Sequence, residues 1–136
     1  MAYTFAMIKP DAVKAGHTGS IIKMIEDNGF TIARMEKRTI DKKTAEKFYA
    51  VHAARPFFGE LVDFITSGPV VVMALAKDDA VFAWRTLMGA TNPKDAAEGT
   101  VRKLYGTSIG TNAAHGSDSA ENAQYELSIF FPDLKN

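Results

Sequence analysis

Apolar positions in this chain fall into short blocks, cut by glycine, proline and clusters of charge. Residues 3–9 (YTFAMIK) are rich in β-formers and stop at Pro10, which predicts a strand. From Ser20 to Asn28, Ile21, Ile22 and Ile25 recur at helical spacing and Gly29 supplies a stop. Residues 30–40 (FTIARMEKRTI) read as a second strand with a solvated far end. Residues 41–52 (DKKTAEKFYAVH) place helix formers behind Asp41, a suitable N-cap. A further short helix is expected over 57–68 (FFGELVDFITSG), closed by Gly68-Pro69. Residues 70–76 (VVVMALA) are apolar without a break and too short for a helix between such breakers. They predict a central strand buried on both faces. Residues 78–89 form an amphipathic helix with Val81, Trp84 and Met88 on one stripe. Residues 93–106 predict a short helix interrupted at Gly99. Residues 107–118 are loop-like and rich in small residues. The stretch 125–131 (YELSIFF) reads as the last strand.

The order is β-α-β-α-α-β-α-α-loop-β. With the extra helices set aside it reduces to βαββαβ, the α+β ferredoxin-like plan. That plan implies an antiparallel four-stranded sheet with helices on one face. The region of about 89–119 stands out as a long insertion loop, of the kind that carries function or disorder. No internal repeat or low-complexity tract divides the chain, so residues 1–136 are read as one domain.

Composition narrows the function classes. The chain has 136 residues, 46% of them apolar, enough for one core. Sixteen basic residues balance 16 acidic ones, so no net field draws the chain to nucleic acid or a membrane. Cysteine is absent, which excludes disulfides and thiolate chemistry and fits a reducing cytoplasm. The N-terminus lacks the basic and apolar regions of a signal peptide, and no run reaches membrane-spanning length. A cytoplasmic domain is expected. Neither G-x-x-x-x-G-K-[ST] nor G-x-G-x-x-G occurs, so any phosphate chemistry must do without a glycine cradle.

The stretch 111–122 (TNAAHGSDSAEN) surrounds His115 with small and polar residues. A neutral imidazole is a nucleophile that needs no deprotonation, and its ordinary pKa of about 6.5 keeps it neutral at physiological pH. Small neighbours leave room for a phosphoryl group, and Gly116 permits close backbone approach. Ser117 and Asp118 add a hydroxyl and a carboxylate. Alternation in 125–131 sets Glu126 on one face with Ser128 and Phe130, from where it can orient His115 or Ser117. The same pattern fits a surface-loop histidine followed by a turn and a helix cap. A metal site is the weaker reading, because His17 and His52 have no ligand-like spacing to His115. Lys9, Arg85 and Arg102 sit at element ends near proline or glycine, where phosphoryl transfer needs positive charge. Taken singly, each basic residue also reads as a solvated charge, and Arg34, Lys37 and Arg38 are read so. Phe57, directly after Pro56, can stack half-exposed on a nucleobase or belong to the core with Phe58. His17 and His52 read as ordinary surface histidines.

The segments IKPDAV (8–13), ARPFF (54–58), SGPVVVMAL (67–75), LMGATNP (87–93), GTVR (99–102) and NAAHGSDS (112–119) together resemble the nucleoside diphosphate kinase family. The resemblance runs from Tyr3 to Phe131. It implies exchange of the terminal phosphoryl group between nucleoside tri- and diphosphates, by a ping-pong route through a phosphohistidine. His115 matches the nucleophile. Lys9, Tyr49, Arg85, Thr91, Arg102 and Asn112 match residues that hold phosphates and sugar. Phe57 matches a ring that stacks on the base, with Ile109 on its other side. Ser117 and Glu126 match the pair that orients the histidine. Magnesium is implied as a passenger on the nucleotide, with no direct protein ligand and Asp118 reaching it indirectly. Ribo- and deoxyribonucleotides of any base are implied as partners, with no membrane and no obligatory nucleic acid. Ala113 and Ala114 depart from the larger aliphatic residues of many members, which suggests looser packing behind the histidine. Residues 52–58 (HAARPFF) lack charges that many members carry there. The tail after Phe131 is shorter than in relatives that use theirs in assembly, which leaves the oligomer open; a tetramer built from dimers is the expectation, with a hexamer or a bare dimer as alternatives. The rival function is a non-catalytic ferredoxin-like binding module or a histidine phosphotransfer module.

Overall fold

The computed structural model describes residues 2–134. Two largely apolar strands form the middle of the sheet. They are β1 (Ala2–Ile8) and β3 (Val70–Lys77), paired antiparallel from Ala2↔Lys77 to Ile8↔Val71. The more polar β2 (Thr31–Arg38) lies on the outer side of β3, with a register shift between Ile32 and Arg34 and an exposed stretch at 35–37. The fourth strand, β4 (Ala114–Gly116), pairs with β1. The order is β2-β3-β1-β4, every pair antiparallel, as the ferredoxin-like reading expects.

Helices cover both faces of this sheet, not one. Between the strands run α1 (Pro10–Lys14), α2 (Thr18–Asp27), α3 (Lys42–Phe48), α4 (Phe58–Ile65), α5 (Ala80–Met88) and α6 (Val101–Tyr105), and α7 (Ala120–Phe130) follows β4. Ala6, Ile8, Val71, Met73 and Leu75 pack with Ile21, Ile25, Trp84 and Met88 of α2 and α5. Phe5, Met7, Val70, Val72 and Ala74 pack with Phe48, Val62, Ile65, Leu127 and Phe130 of α3, α4 and α7. The physical reason is in β1 and β3 themselves. Period-two alternation sends half of a largely apolar strand to each side, and each half must be buried.

The last strand is misplaced by the sequence reading. Residues 125–131 belong almost wholly to α7, whose buried positions Ala123, Leu127 and Phe130 recur at helical spacing. Ser119 caps this helix by accepting the Asn122 N–H at 3.1 Å. The β-formers of YELSIFF outweighed that cap. The true fourth strand has three residues, lies in the stretch read as loop, and is too short to show a period. The 89–119 insertion also holds a 3-10 turn (Pro93–Asp95) and α6, parted by Gly99 at φ 83°.

Elsewhere the expectations hold, with small changes. Asp41 caps α3, accepting the Thr44 N–H at 2.7 Å. On α5 the buried stripe is Ala80, Trp84 and Met88, and Val81 is only half-buried. Arg34 and Arg38 are engaged rather than free. Arg34 pairs with Asp133 at 3.1 Å, and the Arg38 guanidinium lies 5.3 Å from the centre of the Phe130 ring. No helix among the described residues is long and apolar enough to cross a membrane.

Candidate active site

Ahead of the histidine the backbone turns sharply. Ala113 has φ 74°, and the Ala114 N–H donates to the Asn112 carbonyl at 2.9 Å, which closes a γ-turn. An alanine in this region costs roughly 1–3 kcal/mol, so its surroundings must hold it there. The Ala113 N–H donates to Asp11 Oδ2 at 3.1 Å, and the Lys9 N–H donates to the Ala113 carbonyl at 2.8 Å. Ala113 and Ala114 are fully buried, so the small residues leave no solvent gap behind the histidine.

From this turn β4 enters the sheet with His115 opposite Met7. The imidazole rests against the edge of Phe48, at 5.0 Å between centroids, with Phe5 at 6.1 Å. The His115 carbonyl accepts the Trp84 indole N–H at 3.2 Å. Gly116 is required here by space. A Cβ on it would lie 2.5 Å from Trp84 Cδ1 and 2.6 Å from Met88 Cε.

One oxygen of Glu126, on α7, serves both neighbours in the predicted set. It lies 3.1 Å from His115 Nε2 and accepts the Ser117 hydroxyl at 2.5 Å. A carboxylate oxygen can only accept, so Nε2 carries the proton and Nδ1 keeps the free lone pair. The pair is partly buried, at 23% and 12% side-chain exposure, which strengthens the contact without sealing off the ring. Glu126 was found by the wrong periodicity, but it belongs here.

A cavity of about 230 Å³ opens beside the ring. Of the predicted residues, Tyr49, Arg85, Thr91, Arg102, His115, Asp118 and Glu126 line it. Lys9, Asn112 and Ser117 stand behind the lining and connect to it. Lys9 Nζ donates to Asn112 Oδ1 at 2.9 Å, and Asn112 Nδ2 donates to the Thr91 carbonyl at 3.0 Å. Arg102 donates to the carbonyls of Gly89 (3.0 Å) and Ala114 (2.9 Å). Phe57 and Ile109 fall outside this lining, 38% and 59% exposed. Phe57 touches the cavity through His52, whose ring it meets edge-on at 5.5 Å.

The charges here oppose one another. Burial, then the neighbouring Arg102, lowers the Lys9 pKa to about 8 against a smaller opposing pull from Asp11. Burial, then Arg85, lowers Arg102 to about 10. Burial and the Glu126 carboxylate push Tyr49 up to about 12, so its hydroxyl stays protonated. A polyanion in the cavity would relieve the cation repulsion.

Sequence reasoning missed several neighbours. His52, read as a surface residue, lines the cavity together with Phe48, Val51 and Asn122. Its position one turn after Tyr49 was an available signal. Asp11 and Trp84 act through the backbone, and no residue pattern announces such bonds.

The comparisons agree with this geometry. The family model described as nucleoside diphosphate kinase matches residues 2–135. The nucleoside diphosphate kinase of Flavobacterium psychrophilum is 59% identical over 128 residues, spanning 94% of this chain and 92% of that one. That of Campylobacter fetus is 58% identical over 131 residues, 96% of each chain. Among solved structures, the Aquifex aeolicus nucleoside diphosphate kinase superposes with a TM-score of 0.94 at 40% identity, over 96% of this chain and 94% of that one. A halophilic relative from Halobacterium salinarum, solved in complex with CDP, gives 0.91 at 43% identity, over 96% and 88%. A match along nearly the whole length, with the histidine, its carboxylate and the cation cluster brought to one cavity, places the chain in the nucleoside diphosphate kinase family.

Proposed function

We propose that this chain moves the terminal phosphoryl group of a nucleoside triphosphate to a nucleoside diphosphate through Nδ1 of His115. The observation that carries the reading is the single Glu126 oxygen on His115 Nε2, which leaves Nδ1 as the nitrogen with an available lone pair. In the first half-reaction that lone pair forms an N–P bond as the bond from phosphorus to the bridging oxygen breaks. The nucleoside diphosphate leaves with the bonding electrons. The ring gains positive charge, and the Glu126 carboxylate offsets it at the Nε2–H. The second half-reaction is the reverse, with a different diphosphate as acceptor.

Charge is supplied by side chains in place of a glycine loop. Arg85 and Arg102 face the cavity and stabilise negative charge as it spreads in the transition state. Lys9, Tyr49, Thr91 and Asn112 hold phosphate and sugar. Phe57 and Ile109 form an exposed apolar clamp for the base; stacking reads no base edge, so all bases are accepted. The CDP held by the Halobacterium salinarum relative supports a nucleoside diphosphate as ligand. Magnesium fits as a metal held by the phosphates and its own water shell. Asp118, one of the two carboxylates in the lining, would receive that shell, and the metal would neutralise phosphate charge. We also propose a cytoplasmic homo-oligomer, a tetramer in preference to a hexamer or dimer. The open edge of β2, with Met35 exposed, is suited to meeting a second copy.

The test is direct. With γ-labelled ATP the protein should take up acid-labile, base-stable label and pass it to GDP or CDP. His115→Ala should take none. Full label on that variant removes the histidine from the chemistry, and label that cannot be passed to a free diphosphate indicates a phosphotransfer module instead.

A further inference from the structure

The γ-turn before the nucleophile is held from outside, by a residue whose other contribution to the site is a small electrostatic pull on Lys9. Ala113 sits at φ 74°, is fully buried, and must find a partner for its N–H away from the ladder. The partner is Asp11 Oδ2 at 3.1 Å. The other oxygen of that carboxylate is buried without a hydrogen-bond donor among the described residues. From the same junction of β1 and α1, the Lys9 N–H takes the Ala113 carbonyl at 2.8 Å. Both peptide groups flanking Ala113 are therefore clipped to one short segment. Two residues later the chain must reach the register that sets His115 opposite Met7.

We infer that Asp11 is a positioning residue for His115: its carboxylate holds Ala113 in the left-handed conformation that delivers the imidazole to the cavity. This rests on the reading of His115 as nucleophile. The competing role is purely local. Asp11 lies in the first turn of α1, where an acidic residue favours a helix by its charge alone. The two roles differ in what glycine does at 113. Glycine adopts positive φ without steric cost, so it removes the need for a clamp. It does nothing for the start of α1.

The experiment measures single-turnover phosphorylation of His115 by ATP in the wild type, Asp11→Ala, Asp11→Asn, Ala113→Gly and the Asp11→Ala/Ala113→Gly double variant. Asp11→Ala should slow the step about tenfold to a hundredfold, with little change in ATP affinity, because the nucleophile is misplaced and not removed. Asp11→Asn keeps an oxygen that accepts the Ala113 N–H and should hold most of the rate. The double variant should return to within about threefold of Ala113→Gly alone. A wild-type rate in Asp11→Ala, a loss that glycine does not relieve, or a loss carried by affinity overturns the inference. If Asp11→Ala does not fold, the double variant decides: it should fold and react, and its failure to do so counts against the clamp. Wild-type protein that takes no label on His115 would instead defeat the functional reading beneath it.

Discussion

At His115 one oxygen receives two donors, and the direction of every later step depends on it. Glu126 Oε1 holds Nε2–H and the Ser117 hydroxyl together, which fixes ring orientation and tautomer with one charge. The lowered Lys9 pKa has a consequence for binding. Its folded value of about 8 lies below the ordinary 10.5, so burial penalises the charged form. From this group alone, stability is reduced below pH 8 and recovers as pH rises toward 10.5. A nucleotide polyanion favours the charged form, so binding above pH 8 should take up a proton. Affinity should fall by up to about tenfold per pH unit there. Calorimetry at alkaline pH in buffers of different ionisation heat should register this uptake, and Lys9→Met should abolish it. An unchanged uptake in that variant would assign the proton elsewhere. Arg85, exposed at the cavity and free of the carbonyl bonds that tie Arg102, tests transition-state charge more cleanly. Arg85→Ala should lower the turnover number by about a hundredfold to a thousandfold while nucleotide affinity moves far less. Equal losses would mean that it only binds the ground state.

At the level of elements, the histidine is set by three pieces distant in sequence, the end of β1, the short β4 and the helix α7, while α3, α5 and α6 bring further lining residues. What was legible in the sequence follows from pattern length. β1 shows itself by its β-formers and the stop at Pro10, β3 by an unbroken apolar run over 70–76, and α3 by its Asp41 cap. β4 has three residues and no pattern to read, so its histidine was found by its chemistry and by the surrounding motif. YELSIFF alternates well enough to imitate a strand, and only the Ser119 cap and the 123, 127, 130 spacing betray the helix. Glu126 was thus nominated from an incorrect element, and it meets His115 and Ser117 from the helix instead. Packing under β4 gives a prediction of its own. Gly116 lies against Trp84 and Met88, both buried, with no space for a methyl group. Gly116→Ala should destabilise the fold by about 1–3 kcal/mol, read from urea denaturation midpoints, and should lower activity by displacing the adjacent His115. A variant as stable as the wild type would show that Trp84 yields freely.

Across the whole molecule, the double-sided core makes a rigid platform, and the ligand-facing parts ride on its edge. Net charge is zero, so attraction for nucleotides is local to the cavity rather than spread over the surface. Helices on both faces were not legible from the βαββαβ order, because the order does not say on which side each helix returns. The unbroken apolar run of β3 did carry that information. The residues of the proposed base clamp, Phe57 and Ile109, lie outside the cavity lining and are exposed. Phe57→Ala should weaken nucleotide binding by about 1–3 kcal/mol, alike for adenine, guanine, cytosine and uracil, as measured by KM for the four triphosphates. An effect confined to purines would require contacts to base edges.

The orientation of the imidazole is tested most directly by locating the phosphoryl group on the ring. Protein phosphorylated by ATP, labelled with 15N in histidine and kept at alkaline pH, distinguishes the two isomers by phosphorus–nitrogen NMR. Phosphorus bonded to Nδ1 of His115, with the proton retained on Nε2 beside Glu126, is the expected result. Phosphorus on Nε2, or on any other residue, would contradict it.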